Sequence, residues 1–101
     1  MPDDTRKLIT IVTEAVLEQE VCEALEDLGA VGYTVTNARG KGSRGVRDAG
    51  WSTSSNVRVE VVCSDDVAQR IAEHLQQKYY DNYAMIIFES DVRVLRPDKF
   101  V

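Results

Sequence analysis

The alternation of apolar and polar residues predicts a two-layer α+β sandwich, with two helices lying on one face of a four-stranded antiparallel sheet. Three observations carry this. Short runs rich in β-branched and aromatic residues stand apart from two longer runs with helical spacing. Each helical run has a single apolar stripe. The runs follow the order strand, helix, strand, loop, strand, helix, strand.

Arg6 to Val12 is short, β-branched and apolar on both faces, which is the pattern of a central strand. Thr13 is then expected to N-cap the first helix, with Glu14 favouring its positive end. Leu17, Val21, Ala24, Leu25 and Leu28 recur at helical spacing up to Gly29, which ends the run. The opposite side, with Glu18, Glu20, Glu23, Glu26 and Asp27, reads as a solvated face. Val31 to Ala38 mixes β-branched, aromatic and hydroxyl residues and is expected as the second strand. Val57, Val59, Val61 and Cys63 alternate with Arg58, Glu60 and Val62, giving a third strand with one core face.

Ser64 caps the second helix, with Asp65 and Asp66 in its first turn. Val67, Ala68, Ile71, Ala72, Leu75 and Tyr79 supply its apolar stripe, and it is expected to end near Tyr80-Asp81-Asn82. Tyr83 to Glu89 is the fourth strand. Asp91 to Leu95 reads as a short extra C-terminal strand that stops before Pro97, because proline cannot donate to a ladder. Residues 1–101 thus form one ferredoxin-like domain, with a long loop of residues 39–56 between the second and third strands. The helices cover one face only, and the first and fourth strands are apolar on both sides, so copies of the chain are expected to associate.

At 101 residues and 44% hydrophobic, the chain buries a real but thin core. No apolar run reaches membrane-spanning length, and the start Met-Pro-Asp-Asp-Thr is too polar and acidic for a signal peptide, so a cytoplasmic protein is expected. Cys22 and Cys63 are expected as buried free thiols. His74, the single histidine, is expected half-exposed on a helix, and with it no metal site forms.

The charge is uneven. The formal net charge is -5, yet Arg39 to Arg47 carries four cations and no acid, so the remainder sums to -9. An acidic body repels nucleic acid, whereas one compact basic loop still holds a small anion. That loop, Gly40-Lys41-Gly42-Ser43-Arg44-Gly45-Val46-Arg47, has residue types that suit packing poorly. Its glycines free backbone N–H groups, and Lys41, Arg44 and Arg47 supply cations with reach, which together describe a phosphate or carboxylate site. Trp51, further along, fits either a docking residue or an ordinary apolar anchor.

Gly32-Tyr33-Thr34-Val35 leading into this loop, together with Lys78-Tyr79-Tyr80-Asp81-Asn82-Tyr83-Ala84 before an apolar strand, resembles the PII-like signalling proteins of bicarbonate uptake, the SbtB and carboxysome-associated PII group. The resemblance runs from Lys7 to about Leu95. It implies a homotrimer binding adenine nucleotides (AMP, ADP, ATP or cyclic AMP) in clefts between subunits, and a T-loop at about 39–56 that orders with ligand and docks on a partner. It further implies bicarbonate beside ADP or AMP at Lys41 and Arg44, a bicarbonate transporter as partner, and a location at the inner membrane when bound to it. Gly40, Lys41, Gly42, Ser43, Arg44 and Arg47 would hold phosphates. The adenine would lie near Thr34, Val35 and Thr36 of one subunit and Tyr83, Ala84 and Met85 of the next.

The sequence departs from the SbtB pattern at Met85, where glycine is usual. The loop has no tyrosine for the uridylylation known in classical PII proteins, and no C-terminal cysteine pair precedes Val101, which favours the carboxysome-associated type. Two other readings stay open. A nucleotide hydrolase would need a metal and a positioned carboxylate such as Asp48, and no Ser/His or Cys/His constellation is visible. A single-strand RNA-binding module shares the topology but is opposed by the acidic total and by the lack of an aromatic pair on adjacent central strands.

Overall fold

The structure, a computed structural model, describes residues 4–40 and 55–100. It contains strand β1 (Thr5–Glu14), a 3₁₀ turn (Ala15–Leu17), helix α1 (Glu18–Asp27), β2 (Thr34–Ala38), β3 (Asn56–Cys63), α2 (Asp65–Tyr79), β4 (Met85–Arg93) and a terminal 3₁₀ turn (Pro97–Lys99). The sheet is antiparallel in the order β2-β3-β1-β4, the ferredoxin-like arrangement expected from the order of elements. The doubly apolar β1 lies inside the sheet between β3 and β4.

The core forms where period-two strands meet period-3.6 helices. Ile9 and Ile11 of β1 and Val57, Val59, Val61 and Cys63 of β3 pack against Val21 and Leu25 of α1 and Val67, Ile71, Leu75 and Tyr79 of α2. Burying one such aliphatic side chain is worth about 1.5–3 kcal/mol. Ser64 caps α2 as its sequence suggests, its hydroxyl accepting from the Val67 amide at 3.3 Å. Both cysteines are free and buried, and His74 is half-buried on α2.

Gly29 closes α1 with φ at +107°, a conformation that disfavours any side chain. The Ala30 amide donates to the Leu25 carbonyl at 2.9 Å and the Gly29 amide to that of Glu26 at 3.2 Å, so a Schellman motif satisfies the helix end. Arg70 of α2 donates to the Leu28 carbonyl at 3.3 Å, placing a cation at the negative end of α1.

Besides the start of β4 at Met85 and not at Tyr83, whose amide turns back to the Tyr79 carbonyl, three boundaries differ from expectation. Thr13 does not cap α1: it stays in β1, paired with Val57 and Met85, and its hydroxyl donates to the Ala84 carbonyl at 2.9 Å. Glu14 also pairs in β1, and its carboxylate accepts the Ala84 amide at 2.8 Å. A long-range bond wins over the local cap, so a 3₁₀ turn intervenes and α1 proper starts at Glu18. Secondly, β2 starts at Thr34 and not at Val31, after the turn that ends α1. Thirdly, among the described residues there is no separate fifth strand: Asp91 to Arg93 continue β4, because Thr5, Arg6 and Lys7 of β1 pair with them.

The face of the sheet away from the helices carries Leu8, Thr10 and Val12 of β1, Arg58, Glu60 and Val62 of β3, and Ile86 and Phe88 of β4 by strand alternation. Ile86 is 61% exposed and Phe88 49%. The terminal turn folds back toward β1, where the Arg6 guanidinium donates to the carbonyls of Phe100 and Pro97, each at 2.6 Å.

Candidate functional site

The residues expected to bind nucleotide fall into two groups at opposite edges of the sheet. Thr34, Val35 and Thr36 lie on β2, which is one edge; Met85 opens β4, which is the other, with Tyr83 and Ala84 just before it. Three strand spacings separate the two edges, about 14 Å. Register nevertheless brings both groups toward one end of the sheet, since Ala38 faces Asn56, Asn56 faces Glu14, and the neighbouring Thr13 faces Met85. Within one chain the two expected groups therefore stay on separate edges of the sheet.

On β2, Val35 packs against the core, while Thr34 and Thr36 are exposed and alternate onto the uncovered face. Thr34 borders a depression of about 490 Å³ that also includes Leu8, Glu60, Val62, Lys99 and Phe100. The returning C-terminal segment, held by Arg6, supplies the last two. Sequence reasoning missed this wall, because nothing local signals where the last residues fold.

The turn before β4 is tightly tied. Tyr83 packs edge-on to Tyr79 with ring centroids 5.8 Å apart, and its amide donates to the Tyr79 carbonyl at 3.0 Å. The Tyr79 phenol donates to Glu20 at 3.0 Å, and burial, followed by Glu20, pushes its pKa up to about 12. Both backbone groups of Ala84 are satisfied within the chain, by Glu14 and Thr13. A ligand would thus meet this turn through its outer surface and not through the Ala84 amide. Glu14, which sets the turn, carries no signal in the sequence beyond its place next to the strand.

Gly40 is exposed, and a Cβ there would meet nothing within 4 Å. Lys41, Gly42, Ser43, Arg44 and Arg47, like Asp48 and Trp51, lie outside the described residues. Their point of departure is described: Ala38 pairs with Asn56, and the Ala15 amide donates to the Ser55 carbonyl at 2.7 Å. The glycine-basic segment therefore springs from the end of the sheet where the Ala84 turn lies. Among the described residues no group of His, Cys, Asp and Glu could hold a metal ion, and no helix is long and apolar enough to cross a membrane.

The family model for nitrogen regulatory protein P-II matches residues 6–99. The chain belongs to the PII family. A crystal structure from Thermus thermophilus, of a protein described as PII-like and signaling, is 45% identical to this PII protein; it superposes with a TM-score of 0.82, with 96% of each chain covered. The protein CPII from Thiomonas intermedia K12, bound to ADP and bicarbonate, is 22% identical and superposes with a TM-score of 0.83, covering 96% of this chain and 95% of its own. A second CPII structure, with ADP, AMP and acetate, is also 22% identical, with a TM-score of 0.80 over 95% and 94% of the two chains. The CPII likeness concerns the fold. This PII protein shares with those structures the four-stranded sheet and the two helices on one side.

Proposed function

We propose that this PII protein is a non-enzymatic sensor of adenine nucleotides that works as a homotrimer, with the nucleotide held between subunits. The observation that carries the reading is the separation of the half-sites: Thr34 and Thr36 lie on one edge of the sheet and the Tyr83–Met85 turn on the other, at the same end. A second copy placed edge to edge supplies what one chain lacks. The uncovered face, with Ile86 and Phe88 exposed, gives such copies an apolar surface to share.

In this reading Lys41, Arg44 and Arg47 hold phosphate oxygens, and N–H groups of Gly40, Gly42 and Ser43 complete the cradle. The ligand's charge offsets the entropy of ordering residues 39–56, and ligands of different phosphate count order them differently. Bicarbonate, bound by CPII together with ADP, is proposed as a co-ligand at Lys41 and Arg44. The ordered segment then docks on a membrane bicarbonate transporter and regulates inorganic carbon uptake from the cytoplasmic side.

Calorimetric titration tests the core of this. AMP or ADP should release heat on binding, more so with bicarbonate present, and Arg44→Ala and Arg47→Ala should each weaken binding by about 1.5–3 kcal/mol. Absence of heat with AMP, ADP, ATP and cyclic AMP alike, with and without bicarbonate, would refute it. Incubation with ATP or ADP and magnesium should return the nucleotide intact, and products would move the protein to the hydrolase reading.

A further inference from the structure

We propose that Glu14 is a positioning residue that couples the Tyr83–Met85 turn to Ser55, the residue before β3. The ladder between β1 and β4 ends where Thr13 faces Met85, one residue short of the end of β1. Glu14 fills the next step with its side chain: its half-buried carboxylate accepts the Ala84 amide at 2.8 Å, across 70 positions of sequence. On its other side Glu14 still pairs with Asn56 of β3, and the following amide, Ala15, donates to the Ser55 carbonyl at 2.7 Å. One residue thus joins two segments that approach β1 from opposite sides, since β1 lies between β3 and β4.

The neighbouring contacts do not replace it. The Tyr83 and Asn82 amides donate to the Tyr79 carbonyl at 3.0 and 3.1 Å, which ties the turn to the end of α2. The Thr13 hydroxyl reaches the Ala84 carbonyl, but from a position where β1 is already paired with both Val57 and Met85. Beyond Thr13, the Glu14 carboxylate holds the strand on the β4 side. A bond from a backbone N–H to a carboxylate is charge-assisted and about twice as strong as a neutral one. Without it the end of β1 is paired on one side only, and strand ends held in that way open ahead of the rest of a fold. The Ala15–Ser55 bond is the next contact along the chain and opens with it.

The inference rests on the nucleotide reading proposed above. In that reading the Tyr83–Met85 turn meets the adenine, and the glycine-basic segment, which leads to Ser55, meets the phosphates. Glu14 touches neither part of the ligand, yet both sets of contacts lean on it within one chain. Its reach matters more than its charge. Glutamine offers an acceptor at the same distance, whereas aspartate is one methylene short.

Residue-resolved hydrogen exchange on the full chain without nucleotide tests the coupling. In Glu14→Ala and Glu14→Asp the Ala84 and Ala15 amides should both exchange about ten-fold faster than in the wild type, and in Glu14→Gln both should stay within about two-fold of it. The amide of Ile71, in the buried core, should keep its wild-type rate and so report an intact fold. If Glu14→Ala speeds Ile71 as well, the Asp and Gln variants carry the comparison. Faster exchange at Ala84 with Ala15 unchanged would overturn the proposal, as would unchanged rates at both amides. So would Glu14→Asp matching the wild type while Glu14→Gln matches Glu14→Ala, because charge and not reach would then be at work. Calorimetric titration with ADP gives a second readout: affinity should fall about ten-fold in Glu14→Ala and Glu14→Asp and recover in Glu14→Gln. Equal affinities in all four proteins would remove the positioning role. A wild type that fails to bind ADP would instead defeat the nucleotide reading, and exchange in the ligand-free protein would still decide the coupling.

Discussion

The two faces of the sheet are made by the same strands yet reach opposite ends. Toward the helices, Ile9, Ile11, Val57, Val59 and Val61 are buried in a core shared with α1 and α2. On the other side the alternate residues interleave aliphatic and polar groups: Leu8, Thr10 and Val12 beside the Arg58–Glu60 pair at 3.4 Å, and Ile86 and Phe88 about half or more exposed. A pair exposed to that degree contributes little. The contrast assigns stability of the single chain to one face, and the proposed association would use the other.

Core truncation is the sharpest way to break this assignment. Ile71→Ala opens a cavity at a fully buried α2 position and should cost about 2–5 kcal/mol of unfolding free energy, equally at all protein concentrations. Phe88→Ala should cost less than about 1 kcal/mol on dilution to single chains but progressively more as concentration rises, because its side chain matters only once a copy covers it. Urea unfolding across a concentration series checks both. If Phe88→Ala were as concentration-independent as Ile71→Ala, the uncovered face would not be an interface.

A smaller effect comes from titration on the sealed face. The Cys63 thiol, 2% exposed, is pushed up to about 11 by burial first, then by Glu89 and Asp65. Its folded value lies above the unfolded one, so the contribution to stability is complete below about pH 9 and is lost as pH rises from about 9 to 11, by about 2 kcal/mol. Tyr79, pushed up to about 12, extends the loss beyond about pH 10. Thermal melts from about pH 8 to 11 should fall in the wild type and fall less in Cys63→Ala. Identical slopes in the two proteins would remove Cys63 from the account.

What the sequence disclosed follows from how far each signal reaches. The Val57-Val59-Val61-Cys63 alternation and the Ser64 cap are local, and both hold in the structure. Thr13 has the residue type of a cap, but its fate depends on Ala84, 71 positions away. The polar run Ser90-Asp91-Val92-Arg93 looks like a break between strands. It is continuous because the start of β1 pairs with it, and only topology supplies that partner. For the candidate site, the family resemblance picks out residues on β2 and before β4. That they occupy opposite edges, and that Glu14 and Thr13 hold the Ala84 turn, follows from a register no window of sequence contains.

Two hydroxyls at the junctions offer the finest test of the same point. Ser64→Ala should cost about 1 kcal/mol and speed amide exchange in the first turn of α2, at Val67 above all. Thr13→Val keeps the shape but removes the bond to the Ala84 carbonyl, at a cost of about 0.5–1 kcal/mol. Its exchange signature should differ in place: the Ala84 amide should exchange faster as the turn loosens, while the first turn of α1 keeps its wild-type rates. Hydrogen exchange read residue by residue separates these cases. Were the α1 amides to speed up instead, Thr13 would act as a helix cap in solution, and the Ala84 turn would owe its position to Glu14 alone.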